Sequence, residues 1–408
     1  MKTRTLILSS SALLALLIAP FVFTGAGADK PPEKPKAPAG LKWRVQKLYE
    51  DNNEGCAVAD FNRDGHLDIS AGEYWYPGPD FKEKKPLRKL EPFGKDYLTS
   101  NAEHAYDVNG DGWPDIVSGS FMETGIFWYE NPGKEGLEKG ELWKKHLLVD
   151  TGLGMNEWTD LRDLDGDGVP EVIVDSWNDN GAMMVYKFAK NDQGEPILKP
   201  WTIHEAGPLT NGHGIGYGDI NGDGKEDIVF GNGWYERPKQ GAGEKPWILH
   251  NDWQFPHAST PMIVTDLNGD GRNDIIWGQG HNYGLYWEER RDDNKDGSTN
   301  WKHHTIDDHY SQAHVLVWED IDHDGQPELI TGRRVRAHSG SDPGGNEPGA
   351  MYYYKWDKAK QKFQKFTIAT NGPGTGLQIR IADLNGDGWK DIVVAGKSGT
   401  YILWNLGK

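Results

Sequence analysis

Apolar and polar positions alternate along this chain in short bursts bounded by Gly, Pro, Asn and Asp, and the bursts come in sets of four. The set that begins at His213 shows the pattern most clearly. His213 to Gly218 reads as a first strand, and Asp227-Ile-Val-Phe230 as a second that enters the turn Gly231-Asn-Gly233. Trp234-Tyr-Glu236 follows as a third strand and Trp247-Ile-Leu-His250 as a fourth. The third-strand signal returns as Tyr74-Trp-Tyr76, Phe127-Trp-Tyr129, Met184-Val-Tyr186, Leu285-Tyr-Trp287, Tyr352-Tyr-Tyr354 and Tyr401-Ile-Leu-Trp404. The fourth returns as Trp143-Lys-Lys-His146, Trp201-Thr-Ile-His204, Trp301-Lys-His-His304 and, without Trp, Phe363 to Ile368. The first set is the poor copy, with only Leu87 to Phe93 where its fourth strand belongs.

Between first and second strands lies a nine-residue acidic loop of the form D-x-[ND]-x-D-G-x-x-[DE]. It starts at Asp60, Asp107, Asp163, Asp219, Asp266, Asp320 and Asp383, and no copy is broken. Periods of this length predict a solenoid or a propeller. The last set stops at its third strand, while Trp43 to Tyr49 stands alone at the start as an orphan that resembles a fourth. If that orphan completes the last blade, the ring closes without an open edge. The expected fold is therefore all-β, a seven-bladed β-propeller of four-stranded blades over residues 42–408. The aromatic strands would fill the wedges between blades, which accounts for much of the 18 Trp and 16 Tyr.

Composition adds three constraints. The formal charge of −18 argues against a polyanion-binding surface and hence against a nucleic-acid partner. The single cysteine, Cys56, permits no intrachain disulfide and leaves packing and metal as staples. Residues 1–28 carry Lys2 and Arg4, an apolar run from Leu6 to Phe23, and Ala26-Gly-Ala28 in the small-x-small pattern of a signal cleavage site. Removal of that segment leaves no stable membrane span and predicts a secreted, periplasmic or cell-surface protein; residues 29–41, rich in Pro and Lys, read as an extended linker.

The loops explain the acid. Oxygen side chains at positions 1, 3, 5 and 9, with a carbonyl available at 7 and a glycine at 6, form a hard-cation site of calcium type. The expected ligands are Asp60, Asn62, Asp64 and Asp68 in the first loop, Asp107, Asn109, Asp111 and Asp115 in the second, and Asp163, Asp165, Asp167 and Glu171 in the third. Asp219, Asn221, Asp223 and Asp227 follow, then Asp266, Asn268, Asp270 and Asp274, then Asp320, Asp322, Asp324 and Glu328, and finally Asp383, Asn385, Asp387 and Asp391. Up to seven structural Ca2+ ions would convert the acidic excess into a mildly acidic surface.

The seven loops resemble those of the VCBS and FG-GAP repeat proteins, a calcium-binding propeller superfamily that includes the head of integrin alpha chains. Four finer signatures are Gly212-His213-Gly-Ile-Gly-Tyr-Gly-Asp219, Tyr283-Gly-Leu-Tyr-Trp-Glu288, Ser311-Gln-Ala-His314, and His338 with Asp342-Pro-Gly344. They look like secreted bacterial VCBS proteins related to the propeller of aldos-2-ulose dehydratase, a family that removes water from keto-sugars. Polysaccharide lyases also use such propellers, so the resemblance implies a carbohydrate or cell-surface ligand.

The residues six before each first loop Asp are Glu54, Asn101, Glu157, His213, Thr260, His314 and Leu377, which should ring the channel mouth on the face opposite the acidic loops. His257 lies near that ring, and the loops after second strands add Glu123, Asn178, Asp179, His281 and His338. Histidines and carboxylates from distant positions thus converge, a set suited to Zn2+ or another divalent ion acting as Lewis acid, with Glu54 or Glu157 completing it. The enzyme expectation is a lyase or dehydratase with His213, His314 and His338 catalytic and Arg334, Tyr310 and Gln312 touching substrate. The rival is a non-catalytic glycan- or protein-binding propeller, since one fold hosts both classes. The fourth-strand histidines His146, His204, His250 and His304 are expected to be structural.

Overall fold

The computed structural model describes residues 40–176, 184–201, 213–239, 246–295 and 298–408. The expected signal and linker up to residue 39, Asn178, Asp179 and His204 lie outside the described residues. Among those described, strands form five four-stranded antiparallel sheets and one eight-stranded sheet in which two further sets of four are joined by the short parallel pairing of Gly216 with Met262 and Tyr217 with Ile263, and the chain is a β-propeller. The first blade comprises Ala57–Ala59, Asp68–Ala71, Tyr74–Tyr76 and Lys85–Pro86; the fourth comprises Ile215–Gly218, Asp227–Phe230, Gly233–Glu236 and Ile248–His250. The last blade takes Ile379–Ala382, Asp391–Gly396 and Gly399–Asn405 from the end of the chain. Its outer strand is Trp43–Tyr49, paired antiparallel with Gly399–Asn405 from Trp43 opposite Asn405 to Tyr49 opposite Thr400. Leu41, on the linker side of the expected boundary, already belongs to the folded unit: its N–H donates to the Tyr353 hydroxyl at 2.9 Å.

The apolar pair that follows six of the seven acidic loops explains how blades stack. Neighbouring residues on a strand face opposite sides. Ile116 therefore packs toward the first blade and Val117 toward the third, and Ile275 and Ile276 divide in the same way between the fourth and sixth. Seven apolar clusters each join two consecutive blades, and one of them, with Ile69 and Tyr76 against Val393 and Trp404, joins the last blade to the first. At the first blade Ser70 replaces the second apolar residue, and its hydroxyl donates to Glu103 at 2.6 Å.

Three elements differ from expectation. The first blade's fourth strand is the two-residue Lys85–Pro86, while Pro92–Phe93 pairs with Tyr97–Leu98 in a separate hairpin. In the third blade the fourth strand is Pro196–Trp201, which begins before the expected Trp201 to His204; beyond Trp201 that stretch lies outside the described residues. Within 132–142 the chain forms a short helix, Gly133–Lys139, closed by Gly140 in the left-handed region with Leu137 buried beneath it.

Candidate metal centre

The ring expected at the channel mouth is present as one buried network. The Leu377 N–H donates to the Glu54 carbonyl at 2.9 Å, Asn101 Nδ2 donates to the Glu157 carbonyl at 2.9 Å, and the Thr260 N–H donates to the His314 carbonyl at 2.8 Å. Each ring residue stands just before or at the start of a first strand. That common register is why residues spread over more than half the sequence meet.

Within the ring, His213, His314 and Glu157 are joined by His281 from the loop after the fifth blade's second strand. The His213 Nε2 lies 2.9 Å from His314 Nε2 and 3.0 Å from His281 Nε2. Glu157 places Oε2 3.2 Å from His213 Nε2 and Oε1 3.1 Å from His314 Nε2. The outer nitrogens determine what the inner ones present. His213 Nδ1 meets the Ala258 carbonyl, which only accepts, so Nδ1 carries the proton. His281 Nδ1 meets Asp342 Oδ2 at 2.7 Å, again an acceptor. With Nδ1 of each ring turned to an acceptor, the two Nε2 atoms face each other at 3.0 Å and can both offer a lone pair to one shared cation. The carbonyl and carboxylate behind the rings are the usual support for metal-bound histidine.

Electrostatics agree with a ligand set. Burial pushes the His281 imidazole down to about 4, and burial together with Arg334 holds His314 well below its ordinary range, so both stay neutral. Burial opposes charge on Glu157, and the guanidinium of Arg334, with Nη1 3.1 Å from Oε1, is the fixed positive charge that favours its carboxylate. Bonds of about 2.1 Å place neighbouring ligand atoms about 3.0 Å apart in an octahedron and about 3.4 Å apart in a tetrahedron, so the four groups fit a transition metal.

Glu54 has a different task. Arg334 Nε and Nη2 bond its two oxygens at 2.8 and 2.9 Å, and Lys397 Nζ reaches Oε1 at 2.5 Å. Burial works against its ionisation, yet these two cations keep it ionised and engaged, so Glu157 alone completes the histidine set. Arg334 also reaches Glu157 Oε1 at 3.1 Å and so couples the ion-pair network to the centre. Lys397, in the turn after the last blade's second strand, is a participant that the sequence reading passed over. Burial lowers its ammonium to about 8, and its Nζ lies 4.2 Å from the Tyr97 ring centre.

Beside the centre lies a cavity of about 170 Å3 whose polar lining includes Glu54, Glu157, Arg334 and His338, with Phe93, Tyr97 and Phe121 as apolar wall. The His338 ring stacks on His281 with centres 4.4 Å apart, and its Nδ1 lies 2.9 Å from Asp342 Oδ1. Asp342 thus bridges the two histidines; in the sequence it stood out only as part of Asp342-Pro-Gly344. His257, at a positive φ of 54°, holds its ring 5.3 Å from His281 and 6.0 Å from His213, beside the centre rather than in it. Two expected substrate contacts are placed elsewhere. Tyr310 is buried in the wedge between the fifth and sixth blades, because the fifth blade's outer strand runs to Ser311 and makes residue 310 part of it. Gln312 sits in a left-handed bend, and its Nε2 donates to the Pro343 carbonyl at 2.9 Å, holding the Asp342 loop. Glu123 lies 3.3 Å from Lys145, away from the centre. His146, His250 and His304 are structural: they stack on Trp128, Trp234 and Trp287 and bond Glu130, Glu236 and Glu289.

The acidic loops share one conformation. In the fourth blade the N–H groups of Gly222, Asp223 and Gly224 donate to Asp219 at 2.7 to 3.0 Å, which gathers the side chains at positions 1, 3 and 5. That oxygen set suits calcium. The ninth residue has a second task that spacing did not reveal. Asp227 accepts from the Ile220 N–H within the loop and from the Arg237 N–H at the end of the third strand, each at 2.9 Å. It stitches the loop to its blade.

Three segments, 107–174, 163–230 and 266–331, match the family model of the FG-GAP-like repeat. No curated protein matches the chain. Each matched segment opens on the first aspartate of an acidic loop and runs into the next strands of the ring. The chain is thus a β-propeller that carries FG-GAP-like repeats.

Proposed function

We propose that this protein is a secreted carbohydrate-active lyase or dehydratase, stabilised by Ca2+ in its acidic loops, that holds a divalent transition-metal ion, Zn2+ by preference, on His213, His281, His314 and Glu157. The observation that carries the reading is the convergence of ligand atoms of His213, His281, His314 and Glu157 on one buried point, with the outer nitrogens of His213 and His281 held by the Ala258 carbonyl and the Asp342 carboxylate. When bound, such an ion polarises a carbonyl or carboxylate oxygen of a sugar. The chain supplies the rest. Asp342 accepts the hydrogen bond of the His338 Nδ1–H, which makes Nε2 the basic nitrogen of a histidine that lines the cavity and suits it to remove a carbon-bound proton. Arg334 keeps Glu157 in place, and Phe93, Tyr97 and Phe121 offer the apolar wall on which a sugar ring packs. The finer signatures around His213, His314 and His338 that resemble the aldos-2-ulose dehydratase propeller support the same chemistry.

The test is an absorbance screen with keto-sugars and uronic-acid oligosaccharides, read for the enone or unsaturated uronate that elimination creates. Rising absorbance that falls at least tenfold in His338→Ala, with fold and metal content retained, is the expected result. No absorbance change from metal-loaded protein across both substrate classes contradicts it and favours the non-catalytic binding propeller.

A further inference from the structure

The seven acidic loops are not equivalent. Five of them, starting at Asp60, Asp107, Asp219, Asp266 and Asp383, read D-x-N-x-D-G-x-x-D and carry three ligand-position carboxylates. The two that start at Asp163 and Asp320 read D-x-D-x-D-G-x-x-E and carry four. A third difference follows the same division. The third-strand residue opposite position 9 is Pro77, Glu130, Glu236, Glu289 or Trp404 in the five loops, and it is lysine, Lys187 or Lys355, in the two. Four carboxylates and one ammonium give the same net charge as three carboxylates. In the two loops the extra ligand carboxylate is thus matched by a lysine on the adjoining strand, and none of the five has a cation at that position.

The geometry shows how. Lys187 Nζ bonds Asp165, lies 3.1 Å from Glu171 Oε1 and 3.3 Å from Asp167 Oδ2. Lys355 Nζ bonds Asp322, lies 2.6 Å from Asp324 Oδ2 and 3.4 Å from Glu328 Oε1. Each ammonium thus touches positions 3, 5 and 9 of its loop, the oxygens a calcium ion would take. The glutamate at position 9 makes this fit. In the five aspartate loops one oxygen accepts from the loop and the other from an N–H at the end of the third strand, given by Gly78, Asn131, Arg237, Arg290 or Asn405. In the two glutamate loops Oε2 keeps the first bond, to the Leu164 or Ile321 N–H, and Oε1 faces the lysine. Among the described residues the five aspartate loops receive no comparable cation; the nearest case is Arg272, which bonds Asp270 as its one ligand-position carboxylate and otherwise reaches Asp292 and the Arg290 carbonyl.

We infer that blades three and six are closed by their own lysines, so that the loops at Asp163 and Asp320 hold an ammonium where the other five hold a calcium ion. The inference rests on the calcium reading of those five loops. A lysine at each of two non-adjacent blades makes that part of the ring independent of calcium supply, while the other five loops respond to it.

The test counts calcium per chain by elemental analysis after saturation and removal of free ion, in the wild type and in Lys187→Met, Lys355→Met and the double variant, each checked for fold by circular dichroism and gel filtration. Five ions in the wild type, six in either single variant and seven in the double variant are expected. Seven in the wild type, a result that needs no variant to fold, overturns the inference. So do folded variants with the wild-type count. The calcium reading itself is judged separately, by whether the wild type holds any calcium at all.

Discussion

A side chain at Gly280 would meet the candidate metal centre directly: a Cβ there would lie 2.8 Å from His213 Cε1 and 3.1 Å from His314 Cδ2. Gly280→Ala keeps every ligand yet wedges two of them apart, so transition-metal affinity should fall at least tenfold with little change in the acidic loops; titration with a competing chelator reads it, and unchanged affinity would contradict the packing described. In the second blade's first strand, His104 Nε2 lies 2.6 Å from the Thr159 carbonyl, and burial pushes the imidazole down to about 3. Its folded value lies below the ordinary 6.5, so between those values the unfolded chain binds more protons and stability falls as pH falls. His104→Gln should remove a loss on the order of a few kcal/mol between pH 6.5 and 3, read as a flatter dependence of the urea midpoint on pH. An equal slope in both proteins would show that His104 does not titrate this way. At this scale the sequence revealed the ring positions, because a fixed offset from an unbroken repeat locates them. It did not reveal Lys397, since Gly-Lys-Ser-Gly reads as a solvated turn, nor the placing of Tyr310, whose strand runs longer than its neighbours.

Each blade is set by two short signals, the acidic loop and the aromatic third strand. Both were legible, because a loop needs its residues at fixed spacing and a wedge needs large rings. Fourth strands were less legible. Lys85–Pro86 pairs over only two residues, too short for any alternation to appear, and Pro196–Trp201 carries two prolines that hide a strand lying ahead of the Trp201 signal. The ninth position was read as a cation ligand, and hydrogen bonding adds a structural task that spacing cannot show. Asp227 is fully buried with both oxygens accepting from N–H groups, so Asp227→Asn sets a donor against a donor. A loss of about 2 kcal/mol is expected in excess chelator as well as in calcium. Equal stability of variant and wild type in chelator would mean that the carboxylate acts only through the ion.

For the whole molecule, the ring makes the site. Glu157, His213, His281 and His314 belong to the third, fourth, fifth and sixth blades, and only a wrapped chain carries them within bonding distance of one another. The repeat foretold the wrapping and the terminal strand that completes the last blade. Which carboxylate joins the histidines was not legible, because both candidates hold equivalent ring positions and only the pairing of Glu54 with Arg334 and Lys397 separates them. The same logic divides the molecule into two faces, with repeated acidic loops on one and unrepeated histidines on the other. The most direct measurement is the metal content of the purified protein and of the His213→Ala/His314→Ala double variant. The account requires about one transition-metal ion per chain in the wild type, lost in the double variant while calcium content is unchanged. Calcium alone in the wild type, or a transition-metal ion retained by the double variant, would contradict it.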